Sequence, residues 1–248
     1  MPEWLPALIM APFAGRLVAL LVHWLPRDAQ AGIAPSCCAV SGRPPGPLTR
    51  APLLSALARR SRCPGCGAPI RPAYGAIDLA CLGIAAWSVL AEADPLRVWL
   101  SCGLGWAILA LAWIDWDHLL LPDALTLPLL LAGLGATWLL DPLALTDHAV
   151  AAAAGYLAFR AIERGYRWLR GRDGLGQGDA KLLAAAGAWV GVAALPLLVC
   201  IAALSGIALV AVLRLLGRPF HGAMVLPFGP ALCIGLWTVW LGIGAAGR

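Results

Sequence analysis

Two short stretches of this chain place carboxylates where a carboxylate is costly. Ala112-Trp113-Ile114-Asp115-Trp116-Asp117-His118 closes one apolar run and leads into Leu121-Pro122-Asp123. Gly174-Leu175-Gly176-Gln177-Gly178-Asp179-Ala180-Lys181 opens another. Charges near or within apolar runs of membrane length are functional hypotheses by default. If helix packing brings Asp115 and Asp179 face to face, the two cannot both ionise easily and share a proton. One then serves as general base for water, the other as general acid for the carbonyl oxygen or leaving amine. That is peptide hydrolysis without a metal or a nucleophilic serine. Gly176 and Gly178 let the backbone approach closely, so that an extended substrate strand can lie beside Asp179. Structural readings stand next to the chemical one. Asp123 follows Pro122 and precedes an apolar helix, as an N-cap does, and Asp179 would cap its own helix equally well. A bare GxGD says little alone; the two clusters together say more.

The elements that must position these residues follow from composition. Of 248 residues, 61% are hydrophobic and 12% charged, against roughly 45–50% (there counting Gly and leaving out Tyr) and about 25% in an average soluble domain. The class is an all-α, polytopic membrane helical bundle; disorder, a nucleic-acid-binding fold and a disulfide-stapled secreted domain are excluded. Apolar runs fall near 4–25, 75–91, 96–114, 123–140, 147–163, 180–194, 196–216 and 224–246, giving about eight transmembrane helices. The stretch 180–216 is too long for one span, and the sequence places its break near Pro196. The first run lacks a basic flank and a small-residue cleavage site, so it reads as a retained span. Three regions follow: a first span over 1–25, a cytoplasmic loop over 26–73, and a seven-span catalytic membrane domain over 74–248.

Arginine placement sets the orientation. The 26–73 loop carries Arg27, Arg43, Arg50, Arg59, Arg60, Arg62 and Arg71, with Asp28 as its one acid. Arg160, Arg164, Arg167, Arg170, Arg172 and Lys181 surround the loop after the fifth run, and Arg214 and Arg218 follow the seventh. The intervening connections hold Glu92, Asp94, Arg97, Asp141 and Asp147. The positive-inside rule then puts both termini outside, and the long loop and both aspartate clusters on the cytoplasmic side.

Asp115 with Leu121-Pro122-Asp123, then Gly176-Gln177-Gly178-Asp179-Ala180-Lys181-Leu182 running into Gly187-Ala188-Trp189-Val190-Gly191, resembles the type IV prepilin peptidases, bacterial GxGD intramembrane aspartyl proteases. Leu226-Pro227-Phe228-Gly229-Pro230 matches a further family segment, as does one N-terminal span followed by a long loop. The resemblance covers nearly the whole chain, with the motifs in order. It implies that Asp115 and Asp179 are the catalytic pair, supported by Gly176, Gly178, Lys181, Asp117, Asp123, Pro227 and Gly229. It also implies an inner-membrane, multi-pass enzyme whose active site faces the cytoplasm. Its substrates would be prepilins or pseudopilins of a type IV pilus or type II secretion system, cut after a glycine that ends a short basic leader. The partners expected are these substrates and the lipid bilayer, with no nucleic acid.

Of the eight cysteines, Cys81, Cys102, Cys200 and Cys233 lie in spans and read as small apolar residues. Cys37, Cys38, Cys63 and Cys66 lie in the long loop, where a reducing cytoplasm argues against disulfides. Cys63-Pro64-Gly65-Cys66 has the spacing of a zinc knuckle. A loop with little core of its own gains from a structural zinc held by Cys38, Cys63 and Cys66, with Cys37 as a fourth thiolate. The other reading is a metal-free loop, since Ser41 stands where the family has the second cysteine of its first pair. Further departures concern the family's second activity, methylation of the new N-terminus. Of the first-span pattern only Gly15 and Leu25-Pro26 match; Ala19 and Trp24 stand at its Asn and Arg positions. Arg59-Arg60-Ser61 replaces a glycine, and Asp78 stands at a glutamate. These bear on methylation and leave the proteolytic pair intact, so S-adenosylmethionine is expected only where methylation is retained. His23, His118, His148 and His221 show no ligand spacing and read as interfacial. The rival reading is a proton- or metal-coupled transporter using Asp115, Asp117 and Asp179 as an ion path. Such sites tend to lie at mid-bilayer within repeated halves, which this sequence does not show. A non-catalytic scaffold for a pilus or secretion system is a third reading, disfavoured by the intact aspartates.

Overall fold

The computed structural model describes residues 5–25, 73–171, 176–216 and 227–246. Apolar runs without internal hydrogen-bond partners must become helices in a bilayer, and the described residues are helical with no strand among them. The helices are α1 Leu5–Trp24, α2 Ala73–Ala91, α3 Pro95–His118, α4 Asp123–Leu140, α5 Leu145–Arg170, α6 Gln177–Leu215 and α7 Gly229–Ala246. A short 3-10 turn, Pro142–Ala144, joins α4 to α5. Among the described residues four helices have stretches long and apolar enough to cross a membrane: Leu5–Val22, Pro95–His118, Asp123–Leu140 and Gln177–Leu215. Gly75–Ala91 and Gly229–Gly244 are apolar but shorter.

Two compact units divide the chain at Ala110 and Leu111, within α3. In the first, α1 packs along α2. Arg16 lies 3.9 Å from the fully buried Asp78, and a Cβ on Gly15 would come within 2.6 Å of Asp78 Oδ1. Ala7, Ala11, Ala85, Val98 and Cys102 form the apolar core here. Trp106 Nε1 donates to the Cys81 carbonyl at 3.1 Å.

In the second unit α6 is the central element, packed against α4, α5 and α7. Residues 179–191 are buried apart from Lys181. Small residues permit the close approach, as membrane helix interfaces favour: Gly187 against the Ala151 carbonyl and Gly235 against the Leu198 carbonyl, each with 2.6 Å to a would-be Cβ. Trp189 Nε1 donates to the Leu129 carbonyl at 2.9 Å, and its ring meets Trp240 edge-on at 5.1 Å.

Two local expectations need correction. The interruption in 180–216 is at Gly191, not Pro196. Gly191 has φ 77 and ψ 174, while Pro196 sits inside helix. A left-handed φ favours glycine, whereas proline within a membrane helix is tolerated when neighbouring groups satisfy the backbone. Asp123 is not an N-cap either. Pro122, extended at φ −70 and ψ 135, takes that position, and Asp123 is the first helical residue.

Candidate active site

Asp115 sits in the last turn of α3, just before Leu119 leaves the helix with φ 53. Its side chain is buried, and its Oδ2 accepts the Gly229 N–H at 2.9 Å across 114 residues of sequence. The contact demands glycine, because a Cβ there would lie 2.6 Å from the same oxygen. Gly229 is the first residue of α7, so its N–H belongs to the set a helix leaves unpaired. A carboxylate at that end also meets the favourable end of the helix dipole.

Asp179 stands in the first turn of α6, also buried. Its Oδ2 accepts the Gly176 N–H at 3.2 Å, and its own N–H donates to the Gly176 carbonyl at 3.1 Å. Asp179 is therefore not the N-cap, a position Gly176 takes; it is the third residue of the helix, and its side chain reaches back to the capping backbone. Asp115 and Asp179 are near enough to act on each other electrostatically, and Cys233 of α7 feels both.

Around this pair the two motif segments lie on each other. A Cβ on Gly178 would come within 2.8 Å of Leu121 Cβ, so the GxGD turn rests on the Leu-Pro-Asp segment. Lys181 Nζ pairs with Asp123 Oδ1 across 58 residues. The pair is solvent-exposed and adds at most about 1 kcal/mol; as a link between the first turns of α4 and α6 it bears on their register. Phe228 packs against Phe159 of α5 with centroids 6.3 Å apart, which seats the Pro227-Phe228 segment that leads into Gly229. Asp117 is exposed and is not drawn into this cluster.

Two further buried groups lie in this unit. Cys233, a small buried residue as its sequence context suggests, stands four residues after Gly229, one helical turn along the same face. Arg160 and Arg167 flank Glu163 at i−3 and i+4, and both pair with its buried carboxylate. The sequence signal for this cluster is the helical spacing of opposite charges. The candidate zinc ligands Cys37, Cys38, Cys63 and Cys66 lie outside the described residues.

The chain is similar to known proteins over most of its length. Residues 9–91 match the bacterial peptidase A24 N-terminal domain, and residues 102–211 match the type IV leader peptidase family. A prepilin leader peptidase/N-methyltransferase of Aeromonas hydrophila is 41% identical over 208 residues, which is 83% of this chain and 71% of that protein. The protein of the same name from Burkholderia pseudomallei strain K96243 is 37% identical over 256 residues, covering 92% of this chain and 82% of its own. A Pseudomonas aeruginosa protein, again of that name, is 35% identical over 206 residues, covering 83% and 71%. No solved structure matches the chain significantly.

Proposed function

Because the chain belongs to the type IV leader peptidase family, we propose that it is a membrane aspartyl endopeptidase that removes the basic leader from type IV prepilins or pseudopilins. The observation that carries this reading is the buried, mutually interacting pair Asp115 and Asp179. Each carboxylate is gripped through Oδ2 by a backbone N–H, from Gly229 and Gly176 respectively. That fixes its rotation and leaves a second oxygen for chemistry. With one proton shared between the pair, the ionised carboxylate takes a proton from water as it attacks the scissile carbonyl. The protonated one supplies the proton to the carbonyl oxygen. Collapse of the tetrahedral intermediate then needs a proton on the leaving amine, which the first carboxylate now holds. As the intermediate collapses, one of its hydroxyl protons returns to the second carboxylate, so the pair regains its shared proton and one water is consumed per bond cut.

Eight spans, a cytoplasmic 26–73 loop and an inner-membrane location with a cytoplasmic active site complete the proposal, supported by the arginine asymmetry of the sequence. The ion-transport alternative gains nothing from relatives named as peptidases. Those names also include N-methyltransferase. Methyl transfer from S-adenosylmethionine is a second reading, and the departures at Ala19, Trp24 and Asp78 bear on it alone. A structural zinc on the loop cysteines would act in neither proteolytic proton transfer.

The test is incubation of detergent-purified protein with a panel of prepilins, reading leader loss by mass and methylation by a further 14 Da (about one methyl group) on the product. Asp115→Asn and Asp179→Asn should each abolish cleavage, and the double variant should be little worse than either single one, because acid and base act as a unit. Substantial turnover by Asp179→Asn would sink the mechanism.

A further inference from the structure

The break in α6 at Gly191 is held by three side chains that neither the catalytic pair nor the family motifs account for. The dihedrals of Gly191 turn the Val192 N–H out of the helical ladder, and it donates to Asp147 Oδ2 at 3.0 Å. The Ala188 carbonyl, which an unbroken helix would pair with Val192, lies 3.0 Å from His148 Nδ1 and 3.3 Å from Thr137 Oγ1. Those two side chains are 2.9 Å apart, and Thr137 Oγ1 also donates to the Gly133 carbonyl at 3.0 Å. With the proton on Nδ1 (the tautomer that gives Ala188 a donor) the Val192 N–H and the Ala188 carbonyl are both satisfied. The space over Gly191 is filled as well, since a Cβ there would meet Asp147 Oδ2 at 2.6 Å and His148 Nε2 at 3.1 Å. His148, read from sequence as interfacial, is thus tied into the protein.

The break separates two jobs. The inner half, 177–190, carries Asp179 at its start and packs through Leu183 and Gly187 on α5 and through Trp189 on both α4 and Trp240 of α7. The outer half takes α7 as its neighbour at Leu198 and Ala202. A continuous helix would transmit every tilt of the outer half to Asp179, roughly 20 Å along the rod at 1.5 Å per residue. Sliding the inner half by a single residue would displace the carboxylate by more than the tolerance of catalytic geometry, where about 1 Å can cost about 100-fold.

We infer that Thr137, Asp147 and His148 are positioning residues, which brace the break at Gly191 and so fix the depth and rotation at which Asp179 is presented to Asp115. The inference rests on the peptidase reading above for its kinetic consequence. Asp147 acts as a borrowed cap on the outer half, Thr137 and His148 close the inner half, and none of the three touches the reacting atoms.

The experiment uses the full chain purified in detergent with a prepilin substrate. Asp147→Ala, His148→Ala and the near-isosteric Thr137→Val should lower kcat about tenfold or more with KM within about twofold. Asp147→Asn, which keeps an acceptor for Val192, and His148→Asn, which keeps a donor near Nδ1, should return kcat to within about threefold of wild type. Hydrogen exchange of the amides between Leu182 and Val190 should quicken in the first group and not in the second. Wild-type kcat in both alanine variants would overturn the inference, as would asparagine variants as impaired as the alanine ones, or a change confined to KM. If an alanine variant fails to insert, Thr137→Val carries the same expectation and the same refutation. A wild-type protein that cleaves no prepilin would sink the peptidase reading instead, and the exchange pattern would still decide whether the brace exists.

Discussion

Gly229→Ala isolates the grip on Asp115 from its chemistry. The residue starts α7 without a left-handed φ, so alanine suits the backbone and only space is at issue. The new methyl carbon would lie 2.6 Å from Asp115 Oδ2 and 2.9 Å from its Cγ, where ordinary contact begins near 3.4 Å. The shortfall at the oxygen, 3.4 less 2.6, is 0.8 Å. Either the carboxylate rotates away or the start of α7 retreats, and both lengthen the 2.9 Å hydrogen bond from the Gly229 N–H. A displacement near 1 Å costs about 100-fold in rate. Loss of a hydrogen bond to a charged group costs about 1.5–3 kcal/mol, or roughly 10- to 150-fold. The two routes agree on kcat lowered by about 10- to 100-fold. Initial rates of leader release, followed by mass over a range of prepilin concentrations, separate kcat from KM. Gly135→Ala in α4 is the control, because nothing lies within 4 Å of its Cβ position. A Gly229→Ala protein that inserts normally and keeps kcat within threefold of wild type would refute the reasoning. A loss confined to KM would mean that Gly229 meets the substrate instead of fixing Asp115.

Three further outcomes are expected. Lys181→Met and Asp123→Asn should each lower activity modestly, and a double-mutant cycle should give a coupling no larger than about 1 kcal/mol, as befits an exposed pair; zero coupling would remove the register role assigned to it. In an otherwise cysteine-free variant, a cysteine at Gly171 should be shielded from an impermeant thiol reagent in whole cells and one at Thr146 labelled. Labelling at Gly171 would put Asp179 on the wrong side for a basic leader. Cys63→Ser with Cys66→Ser should lower zinc content while leaving some cleavage; elemental analysis that finds no zinc in metal-replete wild type would leave the CPGC without a ligand role.

What the sequence made legible is local, and what it hid is register between distant segments. Apolar runs located the helices because bilayer length and backbone satisfaction leave few alternatives. The GxGD and Leu-Pro-Asp segments were visible as residues, but nothing local says that Gly178 rests on Leu121, or that Gly229 closes on Asp115. Asp123 shows how a local rule misleads. Its type suits a cap, yet the extended Pro122 ahead of it already fills that position, and the carboxylate turns to Lys181, 58 residues away. The break in α6 carries the same lesson further. Pro196 was the visible helix breaker, lacking an N–H, but a helix in an apolar setting opens where its freed groups find partners. At Gly191 they do, from Thr137, Asp147 and His148, all on other elements. A broken backbone is stable here because tertiary neighbours complete its hydrogen bonds. The position of the break is therefore a property of the packed unit, and the orientation of the aspartate at the end of the inner half depends on it.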